Sequence, residues 1–400
     1  MHRQKVVAAL LLSAFFPYFP GGLRLEHLSF LLFVLLFGFI SISRTRYIYS
    51  PVLTMSMMLF SGAVFAFIGS TFLPDTGAMA SALAMGTRLA LPAVVLGAMV
   101  VYLPTNCNLM TTVTRTIVLM AMPVALLALS SRFFDISFIL GYFVKNEETA
   151  VWSQAFALGR FTGLFNQPLE AGVFYSVALL ALVYLVSMKL WRPIIRYLIL
   201  GIILIGGSLS LSKNFVVLGV LVALAYAVSV RVLSIRSGVI WLGIVIAIII
   251  VWFAFGNEIY TNSFIDLFAE GGFLLALSAG RLGTGDTEVA QLWGQLMTSY
   301  NWISGMGLGS YLPLDNGYLE YFYQGGVFSL ASYVAFIVTI LVTSIKYWSV
   351  DESKLLFFLG LYIALASLGG PVITANRANV SLLMLIVSCV LCVRERRKIS

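Results

Sequence analysis

Apolar residues run along this chain in blocks of about 20, the length a helix needs to cross about 30 Å of hydrocarbon, and polar residues collect between the blocks. The pattern predicts twelve spans, near residues 6–20, 28–43, 51–72, 80–103, 111–130, 169–188, 197–211, 215–230, 238–255, 317–345, 355–370 and 378–393. The first and seventh are short, and mixed character from Asp315 to Gln324 blurs the start of the tenth. Further spans follow the first block and no small-residue cleavage site stands out in it, so it is expected to be a retained helix rather than a signal peptide. With neither repeats nor soluble linkers in view, residues 1–400 read as a single all-α polytopic transmembrane domain of about twelve helices.

Two long interruptions break the pattern, at about 131–167 and 256–316, and a tight turn joins spans at Ser210 to Asn214. Inside the second interruption, Val289, Leu292, Trp293, Leu296 and Met297 recur at helical spacing. They predict a short amphipathic helix packed on the bundle or lying at the interface. Phe264 to Leu277 is apolar but carries Asp266 and Glu270, and is expected to be a second interfacial or re-entrant helix.

Composition agrees. With 60% hydrophobic and 10% charged residues, 400 residues cannot present the charged surface of a soluble globule. Charge then orients the spans: 16 of the 24 basic residues fall in the N-terminal segment and the alternate connections on its side, which places both termini in the cytoplasm. The net charge of +8 is an inner-face anchor, and no nucleic-acid partner is expected. The three cysteines, Cys107, Cys389 and Cys392, lie in an inner loop or the last span, so no outer disulfide framework or cysteine metal site can form. The two histidines, His2 and His27, lie outside the long loops, which excludes histidine catalysis there.

Both long loops carry an arginine on the outer side. Arg160 opens Gly159-Arg160-Phe161-Thr162-Gly163-Leu164-Phe165-Asn166-Gln167-Pro168, which leads into the sixth span. Pro168 suits a first helical turn, and a helix N-terminus beside a guanidinium favours phosphate oxygens. The alternative is that Arg160 binds lipid headgroups or pairs with Glu147 or Glu148. Arg281 stands just before the predicted amphipathic helix, where Asp286 is its alternative partner. Lys213 occupies the tight outer turn, with snorkelling to the headgroups as the bland alternative. Arg88, inside the fourth span, must face a polar cavity or an acidic partner. Asp315 is either a general base for a sugar hydroxyl or a helix cap. The run Gly305-Met306-Gly307-Leu308-Gly309 lacks the spacing of a nucleotide fingerprint and is expected to be a flexible loop that lets backbone approach a substrate.

The stretches GRFTGLFNQPLEAG, LSLSKNF, SAGR with LWGQLMTSYNWISGMGLGS, and LDNGYLEYFYQGGVFSL together resemble the O-antigen polymerase and ligase superfamily, and especially its Wzy-type polymerases of O-antigen, capsule and exopolysaccharide. They cover about a quarter of the chain. The resemblance implies a GT-C-like, metal-independent glycosyltransferase of the bacterial inner membrane that needs no cofactor. It implies undecaprenyl-diphosphate-linked glycan as donor and acceptor, with membrane lipids, a chain-length regulator and a flippase as partners. Carried over, Arg160 and Arg281 match the required loop arginines; with Asp315 they form the expected catalytic set, and Lys213, Asn316, Arg88 and Gly163 the expected substrate-binding set. Lys213 departs from the Ser-Arg pair of many relatives. Ligases of this pattern place a histidine before the asparagine that opens the late span; here Asp315 precedes Asn316, which favours a polymerase over a ligase or protein O-glycosyltransferase. A lipid-linked oligosaccharide flippase or other transporter, and a non-enzymatic scaffold, are the readings from other classes.

Overall fold

A computed structural model describes residues 2–17, 51–72, 88–97, 107–144, 149–233, 301–308 and 316–399, with a few single positions between them. Among these residues all regular structure is helical. In chain order the main helices are α1 (His2–Ser13), α2 (Pro51–Phe72), α3 (Arg88–Gly97), α4 (Cys107–Phe133), α5 (Thr149–Ala157), α6 (Pro168–Ser187), α7 (Pro193–Leu209), α8 (Asn214–Ser229), α9 (Gly317–Lys346), α10 (Asp351–Ala366) and α11 (Asn376–Ile399). Parts of α2, α4, α6, α9 and α11 are long and apolar enough to cross a membrane, and the architecture is that of an α-helical membrane protein. The intervals 28–43 and 238–255, expected to span, lie almost wholly outside the described residues.

Packing sorts these helices. The apolar windows of α6 and α11 are 83% and 89% buried, against 39–44% for α2, α4 and α9, so the first two form the centre and the others turn an apolar face outward. Phe60 and Phe67 of α2 and Val338 and Val342 of α9 are exposed on such faces, as a lipid-facing surface requires. Close approach comes from small residues, which let backbones meet where lipid supplies no hydrophobic drive between helices. A Cβ on Gly172 of α6 would lie 2.2 Å from the Ser212 hydroxyl, and one on Gly207 of α7 2.2 Å from the Phe215 ring.

The two ends of the bundle are chemically distinct. At one end the Cys107 and Cys392 sulfurs are bonded, with Cα atoms 4.5 Å apart, and Glu395 accepts the Cys107 amide at 2.5 Å. There Glu352, fully buried, accepts the Tyr184 hydroxyl at 2.9 Å and pairs with Arg396 at 2.7 Å. The opposite end gathers the N-termini of α6, α8, α9 and α11.

The tenth predicted span is broken. Within α9, Gly325 (φ −131°, ψ 16°) and Gly326 (φ 67°, ψ −164°) leave helical geometry. The Tyr323 and Gln324 carbonyls at the break accept the Met306 amide at 2.7 Å and the Gly307 amide at 3.0 Å. Backbone polar groups freed in a membrane helix must find such partners, and here a glycine loop supplies them. That corrects the reading of this loop as free for a substrate: Gly305 and Gly307 (φ 73° and 84°) bring its backbone against α9 and Ser70 of α2. Leu296, in the expected amphipathic helix, is buried against Phe322 and Tyr323, so that residue packs on the bundle.

Gly326 has the strictest requirement, since a Cβ there would lie 2.0 Å from the Ile303 carbonyl oxygen at a φ that L-residues rarely adopt. Gly326→Ala is expected to cost at least about 2 kcal/mol, strain and clash adding. Gly201→Ala, with nothing within 4 Å of the new methyl, is expected to be neutral or mildly stabilising. Thermal unfolding of the detergent-solubilised chain measures both, and equal midpoints would refute the account of the break.

Candidate functional site

The end opposite the disulfide is built on the turn between α10 and α11. It collects contacts from three helix starts, those of α6, α8 and α9. The Gly317 amide donates to the Ser367 carbonyl at 2.8 Å, and the Asn316 and Asn214 side-chain amides reach the Leu368 and Ala366 carbonyls at 3.1 and 3.4 Å. A Cβ on Gly370 would press into the Leu169 side chain at 2.5 Å. Helix N-termini carry partial positive charge and unused amides, so their convergence makes this end electropositive before any side chain is counted.

Two buried carboxylates hold the entry of α11. Glu320, on the first turn of α9, accepts the Thr374 hydroxyl at 2.5 Å and lies 3.6 Å from Arg88 Nε. Arg88 also donates to the Thr374 carbonyl at 3.0 Å, so one residue is gripped by an acid and a base. Glu170, on the first turn of α6, accepts the Arg377 amide at 2.5 Å and, through its other oxygen, the Asn166 amide at 3.1 Å. Arg377 has no exposed surface; its guanidinium donates to the Leu164 carbonyl and lies 5.6 Å from the centre of the Phe143 ring.

The sequence-predicted residues fall around this core. Arg160 follows the Schellman close of α5: Gly159 turns left-handed (φ 72°) and the Arg160 amide bonds the Ala155 carbonyl at 2.9 Å. Its side chain is half-buried. The next residue, Phe161, donates its amide to the Leu209 carbonyl at 2.9 Å, which brings the Arg160 loop to the α7–α8 turn that carries Lys213. Lys213 is also half-buried and precedes a π-helical first turn, Asn214–Gly219. Such turns are frequent at functional sites. The Ser176 hydroxyl lies 3.3 Å from the Asn214 carbonyl in that turn.

Arg88 has an acidic partner, one of the two settings expected of it. Asn316 is buried and caps α9, its side-chain oxygen accepting the Tyr318 and Leu319 amides at 3.0 and 3.1 Å. Asn316 therefore fills the capping role considered for Asp315, and its side chain is occupied within the fold. Gly163 (φ 64°) is also accounted for by packing, because a Cβ there would lie 2.8 Å from the Val124 carbonyl. Arg281 and Asp315, and the partners Glu147, Glu148 and Asp286 considered above, lie outside the described residues.

The α6 entry differs from expectation in one respect. Pro168 carries no amide and Glu170 already takes the Asn166 amide, so this terminus is partly satisfied from within. Sequence reasoning passed over Glu170, Glu320, Thr374 and Arg377. The usable signal was an ionisable residue inside or at the edge of an apolar run, the argument applied to Arg88 alone.

Among the described residues no group of histidine, cysteine or carboxylate side chains is arranged to hold a metal ion. No family model matches this chain, and no curated protein matches it.

Breaking a buried pair leaves one charge without its partner. Glu320→Ala is expected to cost about 3 kcal/mol, because Arg88 loses its counter-charge and the Thr374 hydroxyl its acceptor. The double variant Glu320→Leu with Arg88→Met is expected to be more stable than Glu320→Ala alone, since no unpartnered charge remains. Thermal unfolding compares them; a double variant less stable than the single would show that the pair does not act as a unit.

Proposed function

We propose that this protein is a polysaccharide polymerase of the membrane, joining undecaprenyl-diphosphate-linked repeat units on the outer face of the bacterial inner membrane. The observation that carries the reading is the convergence of four helix N-termini with Arg88, Arg160, Lys213 and Arg377 at one end of the bundle. A diphosphate gains negative charge as it leaves, and fixed cations and dipoles in a partly dehydrated layer stabilise that charge. The proposed architecture is a GT-C-like bundle of twelve spans with both termini cytoplasmic, so that the Arg160 end faces outward and the Arg396 end inward.

In the reaction, the bond between the anomeric carbon and diphosphate of the growing chain breaks, and a bond to a hydroxyl of the acceptor unit forms. Undecaprenyl diphosphate leaves with the electron pair, and the hydroxyl proton passes to a base, for which Asp315 is the proposed residue. Arg160 and Arg281 clamp the diphosphates and Lys213 assists. The missing histidine before Asn316 favours polymerisation over ligation. A transport pathway needs polar groups through the middle of the membrane. Among the described residues, the fully buried charged side chains Glu170, Glu320, Glu352 and Arg377 instead sit near helix ends.

Arg160→Ala and Arg281→Ala are each expected to lower chain elongation by about 100-fold or more at near-normal protein abundance, and Arg→Lys at either site to impair it, because a point charge does not reproduce a bidentate fork. Polymer length on cells expressing each variant is the measurement. Loss of long chains with single units still displayed is the expected pattern; loss of all displayed glycan would mark a ligase, and parental elongation by both alanine variants would remove these residues from the mechanism. Orientation has its own check. Cysteines placed at 160 and 281 are expected to react with a membrane-impermeant thiol reagent from outside, and labelling from the cytoplasmic side alone would invert the topology.

A further inference from the structure

Arg377 stands 217 residues beyond Arg160 in the sequence, yet it meets the loop that Arg160 opens. Its guanidinium donates to the Leu164 carbonyl. Its backbone amide donates to Glu170 at 2.5 Å, and Glu170 in turn takes the Asn166 amide at 3.1 Å. Thus one residue holds the Arg160–Gln167 segment at two points, Leu164 directly and Asn166 through the carboxylate. The Phe143 ring packs over the guanidinium from the segment that precedes α5, closing the other side.

A guanidinium at zero exposure is costly unless its donors are used, and the carbonyl of buried Leu164 is an acceptor with little access to water. The arrangement therefore exchanges two desolvated groups for a fixed loop position. The backbone between Phe161, which is tied to Leu209, and Pro168, which starts α6, spans only a few residues and closes on itself where the Thr162 hydroxyl donates to the Phe165 carbonyl at 2.7 Å, so fixing Leu164 and Asn166 fixes most of it.

We infer that Arg377 is a positioning residue: through the Leu164 carbonyl and Glu170 it sets the Arg160 loop in the geometry that binds a diphosphate. This rests on the proposed role of Arg160. Loop position sets how Arg160 meets the diphosphate both at rest and as its charge grows, so its loss appears in binding as well as in turnover.

The test uses the full-length chain in lipid nanodiscs and two independent readouts. Amide hydrogen exchange across residues 160–167 reports loop position without any ligand. Arg377→Gln is expected to speed it at least about tenfold while exchange around Glu352, at the other end, stays at the parental rate. Unchanged exchange at 160–167 overturns the inference. Equilibrium binding of undecaprenyl diphosphate reports the consequence. Arg377→Gln is expected to weaken it about tenfold, the loss of one hydrogen bond from a charged donor, and Arg377→Lys less. The double variant Arg160→Ala with Arg377→Gln is expected to bind no more weakly than Arg160→Ala alone, because Arg377 acts through that loop. Independent, multiplying losses overturn the inference. If Arg377→Gln does not accumulate as folded protein, Phe143→Leu removes only the ring over the guanidinium and is expected to speed exchange at 160–167 to a smaller degree; parental exchange in it overturns the inference. A parental chain that binds no undecaprenyl diphosphate, with exchange at 160–167 still dependent on Arg377, instead refutes the proposed function and leaves the positioning contact standing.

Discussion

Two carboxylates buried near one end of the bundle decide how its helices meet. Glu170 and Glu320 come from the first turns of α6 and α9, and both are spent on the four residues from Thr374 to Arg377. A carboxylate in this layer has few solvent partners, so each must be satisfied by the protein. Their acceptors select one position for the entry of α11, and through α11 one position for the neighbours that pack on it. The same pair of bonds links chemistry to architecture, because the segment held by Glu170 is the segment that begins with Arg160.

Much of the helical layout was readable from hydrophobic blocks: α2 occupies the interval 51–72 that the pattern predicts, and α6 lies within one residue of its expected bounds. Periodicity reports where apolar side chains accumulate, and that is set locally. The break in α9 was less legible. Gly325 and Gly326 border an apolar run, and what makes them necessary is close approach: the Ile303 carbonyl lies 2.0 Å from a would-be Cβ on Gly326 and the Ala66 amide 2.7 Å from one on Gly325, long-range contacts that no local pattern encodes. The glycine loop at 305–307 was misread for the same reason. Its close partner is the protein's own backbone.

The candidate site shows the same division. Arg160 and Lys213 stand out in sequence because they interrupt apolar stretches, and the Phe161–Leu209 bond brings their segments together. Arg88 was expected to face a polar cavity or an acid, since an unpaired charge within a span is costly, and it lies against an acid. Glu320 was not identified as that acid, and Arg377 was not singled out at all. Each gains its significance from a contact more than 200 residues away, Arg88 with Glu320 and Arg377 with Leu164, and pairing over such separations is invisible in a single sequence.

An apolar middle with charge confined to the ends is informative about what such a bundle can handle. A carrier moving a diphosphate through the membrane must offer it polar groups along the whole path, at a desolvation cost that the protein would meet at every depth. Here the buried carboxylates of the described residues, Glu170, Glu320 and Glu352, and the buried Arg377 lie within a few residues of a helix terminus. A substrate whose lipid tail stays in the bilayer while its diphosphate stays at the surface needs no such path. For that substrate a cluster of helix N-termini, with a half-buried arginine and lysine beside them, offers fixed positive charge at one end of the bundle. Preorganisation then matters more than the number of cations, because an arginine on a loose loop must be ordered again at each encounter. The contacts from α11 to the Leu164 carbonyl and to Glu170 supply that order in advance, which explains why the most buried arginine of the described residues lies beneath the loop rather than on it.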